Sequence, residues 1–268
     1  MNLYVDADTG IGRAEKPVIF LHGFTQDGSA WEAVRQNLRE FMPGVKTAAV
    51  DLMGHGASPA PADHSMYTME SCSRQLESVL RKLHLGKAWW VGYSLGGRAA
   101  LYLALHNPRL VAGLALLSAN PGITDEEERK ARWNSDLEMA DRIEQDGVPS
   151  FIDHWLGLPV FTGLRNLSQK DFDAVRARRL KNRALGLANS LRGMGAGRME
   201  PMWNRLGELE MPVLAMAGEI DGKYTQQTAL LADILPRVIT RIVPGAGHSL
   251  NIEAPGEVAR ALLDWLTQ

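Results

Sequence analysis

The stretch 88–106 restricts the fold more than any other part of the chain. Ala88-Trp89-Trp90-Val91 is a short apolar run, suited to a strand buried on both faces as in a parallel sheet. Gly92-Tyr93-Ser94-Leu95-Gly96 turns the chain, and Gly97-Arg98-Ala99-Ala100-Leu101-Tyr102-Leu103 continues at helical spacing. A strand that runs directly into a helix needs a sharp, strained turn. Glycine at 92 and 96 removes the Cβ atoms that would keep strand and helix apart, and the apex residue sits in sparsely populated backbone angles. Such a turn lifts the Ser94 hydroxyl above the sheet, with a helix N-terminus beneath it. Gly-x-Ser-x-Gly alone is a common accident. The strand before it and the helix after it separate this turn from one that carries an idle serine.

The rest of the chain repeats the alternation. Further apolar, β-rich runs lie at 17–21, 45–51, 113–118, 212–218 and 238–243. Helical patterns lie at 31–41, where Ser29 is a candidate cap, and at 68–83, 95–106, 225–235 and 255–266, the last opening on proline. Strands alternating with helices predict an α/β fold with a mostly parallel sheet flanked by helices. The segment before Pro17 is expected to add edge strands. The alternation breaks after Asn120-Pro121-Gly122, a turn signal. From there to Arg205 the chain reads helical and charge-rich. The expected organisation is a core of 1–119 and 206–268 with a helical cap of 120–205.

Composition narrows the function classes. With 45% hydrophobic and 22% charged residues in 268, the chain is globular in type. No apolar run approaches the roughly 18 residues of a membrane span. No basic start leads into an apolar stretch, and the single cysteine, Cys72, has no partner for an internal disulfide. These features predict a cytoplasmic protein. A formal net charge of -2 argues against nucleic acid as a partner. The charge is uneven, however: ten Lys/Arg face three acids between 160 and 205. Such a basic island is expected to attract an anion.

A serine hydroxyl is a poor nucleophile or base without a partner. In a fold of this kind the partners follow the serine in the order acid, then histidine. His106 ends a helix and His154 lies in the insertion. His248 follows an apolar run in Pro244-Gly245-Ala246-Gly247-His248, on a loop where a sheet presents its chemistry. Asp221, after the run 212–218, is the expected acid, with Glu219 the runner-up. Two backbone donors complete the set: the Leu95 N–H after the serine, and the Phe24 N–H in the loop His22-Gly23-Phe24. His22 reads as structural.

Four blocks together make the chain resemble the α/β-hydrolase superfamily over nearly its full length. They are His22-Gly23-Phe24, the stretch Asp51-Leu52-Met53-Gly54-His55-Gly56-Ala57-Ser58, the turn at Ser94, and the pair Asp221/His248. Met53 stands where proline is common. More narrowly, the chain is similar to the 2-succinyl-6-hydroxy-2,4-cyclohexadiene-1-carboxylate synthases of menaquinone biosynthesis. The similarity runs through Tyr93 to Arg98, Asn120-Pro121-Gly122, Glu128 to Arg132, Trp155, Pro159-Val160-Phe161 and 187–195. The resemblance implies a helical cap and a lyase that needs no metal or organic cofactor. Its substrate is a small polycarboxylate that loses pyruvate by elimination. The resemblance also implies that Tyr93, Arg98, Arg132, Trp155, Arg179 and Lys223 meet that substrate, with Arg178 an equally near neighbour of Arg179. Arginine suits the task because its guanidinium grips a carboxylate through two parallel hydrogen bonds. The same three reactive groups also serve a carboxylesterase or a carbon–carbon bond hydrolase, and a non-enzymatic binding protein on this scaffold is a further class.

Overall fold

The computed structural model describes residues 2–268. Seven strands form one sheet in the order β1-β3-β2-β4-β5-β6-β7. They are β1 (Val5–Ala7), β2 (Val18–Leu21), β3 (Thr47–Val50), β4 (Ala88–Tyr93), β5 (Val111–Leu117), β6 (Val213–Gly218) and β7 (Val238–Val243). Only β1 is antiparallel, paired with β3 at the edge. The remaining pairs are parallel, so the central strands are covered on both faces.

The period-two alternation of each strand sorts its side chains into two cores. Ile19, Leu21, Trp90, Leu114 and Leu116 point to one face and pack with helices α2 (Met69–Lys82) and α3 (Leu95–His106). Val18, Phe20, Val91, Tyr93, Ala115 and Leu117 point to the other. There they meet Val34 and Leu38 of α1 (Glu32–Phe41), and Val258, Leu262 and Trp265 from near the C-terminus. Between β5 and β6 the chain forms only helical structure. It comprises α4 (Glu126–Gly157), α5 (Gln169–Arg179) and α6 (Ala184–Met194), with short 3₁₀ turns. Gly147, at φ 80, breaks α4, and Pro149 falls in the first turn after the break, where a missing N–H costs least. Ala140, Ile143 and Ile152 of α4 pack on Leu187, Ala188 and Leu191 of α6 as a third apolar cluster, which Phe24 and Ile252 join from the sheet side. The last helices are α7 (Gly222–Ile234), α8 (Leu250–Glu253) and α9 (Pro255–Leu266). Among the described residues, no helix is long and apolar enough to cross a membrane.

The expected strands and helices form, with local differences. One edge strand precedes Pro17 rather than several. The turn before α1 is capped by Asp27, whose carboxylate accepts from the Ser29 N–H at 2.9 Å, so Ser29 is the capped residue and not the cap. Helix α7 starts at Gly222, three residues before the expected 225. Its first turn is closed by the Tyr224 and Thr225 N–H groups bonding the Asp221 carbonyl, each at 3.0 Å. That early start carries Lys223 and Tyr224 into the region described next.

Candidate active site

Ser94 stands between β4 and α3 with φ 49 and ψ -110. Such angles cost a non-glycine residue on the order of 1–3 kcal/mol, and close packing on both sides imposes them. A Cβ on Gly92 would lie inside the Gly96 carbonyl, and one on Gly96 inside the Leu21 and His22 carbonyls. The two glycines therefore let strand, turn and helix touch. The N–H of Leu95, at the start of α3, has no hydrogen-bond partner among the described residues, and neither has the N–H of Phe24. Both residues line the cavity beside Ser94. Free donors facing a cavity suit an oxygen that gains negative charge there.

His248 lies on the loop after β7. Its Nδ1 is 2.7 Å from Asp221 Oδ2, and both side chains are buried. A carboxylate only accepts, so Nδ1 carries the proton and Nε2 is the basic nitrogen. The loop is braced by two more carboxylates. Glu219 accepts from the Gly245 N–H at 2.8 Å, while Glu253 accepts from Gly247 at 2.6 Å and Ser249 at 2.9 Å. Asp221 and not Glu219 thus meets the imidazole; Glu219 shapes the loop that carries it. Tyr93 and Tyr224 flank the His248 ring at centroid distances of 5.4 and 4.7 Å. No hydrogen bond joins Ser94 to His248, but both face one cavity of about 400 Å³. Such bonds are often long before substrate arrives.

That cavity is lined by Phe24, Tyr93, Ser94, Leu95, Arg98, Arg132, Trp155, Phe161, Lys223, Tyr224 and His248, among others. Three of these residues are cationic, and no Asp or Glu side chain lines the wall. Arg98, one turn into α3, donates to the Met194 carbonyl at 3.0 Å and has no acidic partner among the described residues. Burial and the nearby Arg132 pull its guanidinium down to about 10. Arg132 is held from behind: its Nε donates to Asp136 at 2.8 Å, and that carboxylate is fully buried. The Tyr93 hydroxyl bonds Ser249 Oγ at 3.1 Å, and burial raises its pKa.

Two expectations need correction. None of the ten cations between 160 and 205 lines the cavity. Three of them are paired elsewhere: Arg176 with Asp153, Arg192 with Asp141 and Glu144, and Arg205 with Glu208. Arg179 is buried but does not line the cavity wall. It donates to Thr25 Oγ1 at 2.6 Å, and its guanidinium lies 5.4 Å from the Phe161 ring centroid. His22 is structural as expected: Nδ1 bonds the Gly23 carbonyl and Nε2 accepts from the Leu52 N–H, at 2.8 and 2.9 Å. Sequence reasoning missed Tyr224 and Asp136. Tyr224 directly follows Lys223, and Asp136 stands four residues after Arg132, the helical spacing of an ion pair.

Residues 16–255 match a family model described as the alpha/beta hydrolase fold, and sheet, turn and histidine loop together define that class. A Bacillus subtilis (strain 168) protein, provisionally named 2-succinyl-6-hydroxy-2,4-cyclohexadiene-1-carboxylate synthase, is 34% identical over 98% of this chain and 94% of its own length. A Serratia proteamaculans (strain 568) protein of that name is 32% identical, over 95% of each chain. The solved structure of MenH from S. aureus superposes with a TM-score of 0.90 at 27% identity, covering 100% of this chain and 98% of that one. An esterase from Thermogutta terrifontis shares the fold, with a TM-score of 0.83 at 24% identity over 99% of this chain and 93% of its own. The chain belongs to the 2-succinyl-6-hydroxy-2,4-cyclohexadiene-1-carboxylate synthase family of α/β-hydrolase-fold enzymes.

Proposed function

We propose that this enzyme eliminates pyruvate from 2-succinyl-5-enolpyruvyl-6-hydroxy-3-cyclohexene-1-carboxylate, the menaquinone-pathway step its relatives are named for. The observation that carries the reading is the Arg98 guanidinium. It is partly buried, has no acidic partner among the described residues, and shares a wall with Ser94 on which no Asp or Glu side chain stands. An uncompensated cation in such a place is costly unless an anion arrives to meet it. The substrate carries three carboxylates, and Arg98, Arg132 and Lys223 face the space it would fill.

In this reading Ser94, His248 and Asp221 act as one unit. The proton α to the succinyl ketone passes to Ser94 Oγ as the serine proton passes to His248 Nε2. Asp221 orients the imidazole and stabilises its charged form. The electron pair released at carbon moves toward the ketone, and the Leu95 and Phe24 N–H groups hold the resulting enolate oxygen. The pair then returns through the ring and expels enolpyruvate by breaking the ring carbon–oxygen bond. Enolpyruvate takes up a proton and becomes pyruvate. No acyl-serine forms. Tyr93 and Trp155 shape the walls. Residues 120–205 serve as the cap over a core of 1–119 and 206–268, and the enzyme works in the cytoplasm on a small-molecule polycarboxylate.

The hydrolase reading uses the same residues but gives the three cations no task. The purified protein is therefore to be assayed for pyruvate from the enolpyruvyl substrate and for p-nitrophenol from short esters. Fast pyruvate release with slow ester cleavage supports elimination. Fast ester cleavage without pyruvate replaces it with the esterase reading.

A further inference from the structure

We infer that Asn182 is a positioning residue for the reaction: it locks the turn that presents the Phe24 N–H. The inference rests on the function proposed above. Residues 23–26 form a β-turn closed by the Gln26 N–H and the Gly23 carbonyl at 3.1 Å. Thr25, its third residue, has φ 69, whereas Phe24 is not among the residues with positive φ. That combination defines a type II turn, whose third position ordinarily takes glycine. A β-branched residue there is a genuine outlier. The relaxed alternative, a type I turn, reverses the Phe24–Thr25 peptide. It exchanges an N–H for a carbonyl on each face of the turn, beside the donor the reaction uses.

The groups that resist this reversal come from the other side of the molecule. Asn182 follows the end of α5 and is buried. Its Nδ2 donates to the Thr25 carbonyl at 2.7 Å and to the Arg179 carbonyl at 3.0 Å. Its Oδ1 accepts from the Gly56 N–H at 3.1 Å. One amide thus ties α5 to both loops beneath it. Arg179 adds a bond to the Thr25 hydroxyl, and Arg183 bonds the Ser58 carbonyl. The basic segment finds part of its use here, in fastening helices to the turn. The strain at Thr25 is sustained by this fastening, so the turn has its working shape only while residues 179–183 are seated.

The test is a double-mutant cycle on pyruvate release with Asn182→Ala and Thr25→Gly, reading kcat and KM separately. Asn182→Ala is expected to lower kcat about tenfold or more and to leave KM within about threefold, because the donor acts on charge that develops only in the transition state. Glycine adopts the turn without the fastening. In the Thr25→Gly background, the Asn182→Ala loss should therefore shrink to under about threefold. Equal losses in both backgrounds, or a loss confined to KM, overturn the inference. Should Asn182→Ala not fold, Asn182→Asp runs the same cycle, since it keeps the acceptor for Gly56 and lacks the donor to Thr25. Absence of pyruvate release by the unaltered enzyme refutes the proposed reaction instead, so the two failures are distinct.

Discussion

Replacing Arg98 by methionine is expected to make the enzyme more stable and less active. Burial, with Arg132 nearby, lowers the guanidinium from 12.5 to about 10. At 1.36 kcal/mol per pH unit, this opposes the charged form by about 3 kcal/mol. A base whose folded pKa is depressed carries that cost at every pH below about 10 and sheds it only as pH rises further, so at pH 7 it is fully present. Methionine removes the charge and fills similar volume. It also gives up the bond to the Met194 carbonyl, worth about 1 kcal/mol. The net gain is about 2 kcal/mol, or roughly 4–8 °C in Tm for a chain of this length. Activity should move the other way. Losing one partner of a buried charge pair costs about 2–5 kcal/mol, which is roughly 30- to 5,000-fold in kcat/KM. Thermal or urea unfolding of the free enzyme reads the first effect, and a dehydrogenase-coupled pyruvate assay reads the second. A variant that is less stable yet keeps its kcat/KM refutes the idea of a cation waiting for an anion.

Three further expectations follow from the same geometry. Asp221→Asn should lower kcat by about 10³–10⁴ by losing the imidazole's proper tautomer, and Glu219→Gln, one loop bond away, by far less; equal losses contradict the assignment. Gly96→Ala forces a Cβ into two backbone carbonyls and should cost about 3 kcal/mol or more. Gly86→Ala, which meets open space, should stay within about 0.5 kcal/mol in the same denaturation series. His55 is fully buried and held near 3 by desolvation, and burial lowers His22 as well. The unfolded chain takes up these protons below about 6.5 while the folded one refuses them, so stability falls as pH drops. His55 alone accounts for about 2 kcal/mol at pH 5. Urea midpoints at pH 7.5 and 5 measure the slope, which His55→Asn should flatten; a wild-type midpoint unchanged between those values contradicts it.

Much of this was legible in the sequence because short-range sterics dictate it. The turn at Ser94 needs glycine at 92 and 96 whatever surrounds it, and apolar runs of strand length fit only a covered sheet. Loop chemistry likewise pointed to Asp221 and His248. Long-range pairing was not legible. Arg176 and Arg192 read as available for substrate because their acidic partners, Asp153, Asp141 and Glu144, lie 23 to 51 residues away along the chain. Arg179 was singled out by motif, yet its partner is Thr25, 154 positions earlier. Nothing in the local pattern around Asn182 hints that its amide reaches Thr25 and Gly56. Tyr224 escaped because α7 begins at Gly222, a start fixed by backbone bonds to the Asp221 carbonyl and by no side-chain cap.

If the Ser94 hydroxyl, on the cavity wall it shares with His248 and Arg98, starts the loss of pyruvate, removing it must stop the reaction. Single-turnover pyruvate release by the unaltered enzyme and by Ser94→Ala, side by side, tests it most directly. Release by the former and a drop of about 10³-fold or more in the latter are expected. Equal rates in the two proteins would contradict it.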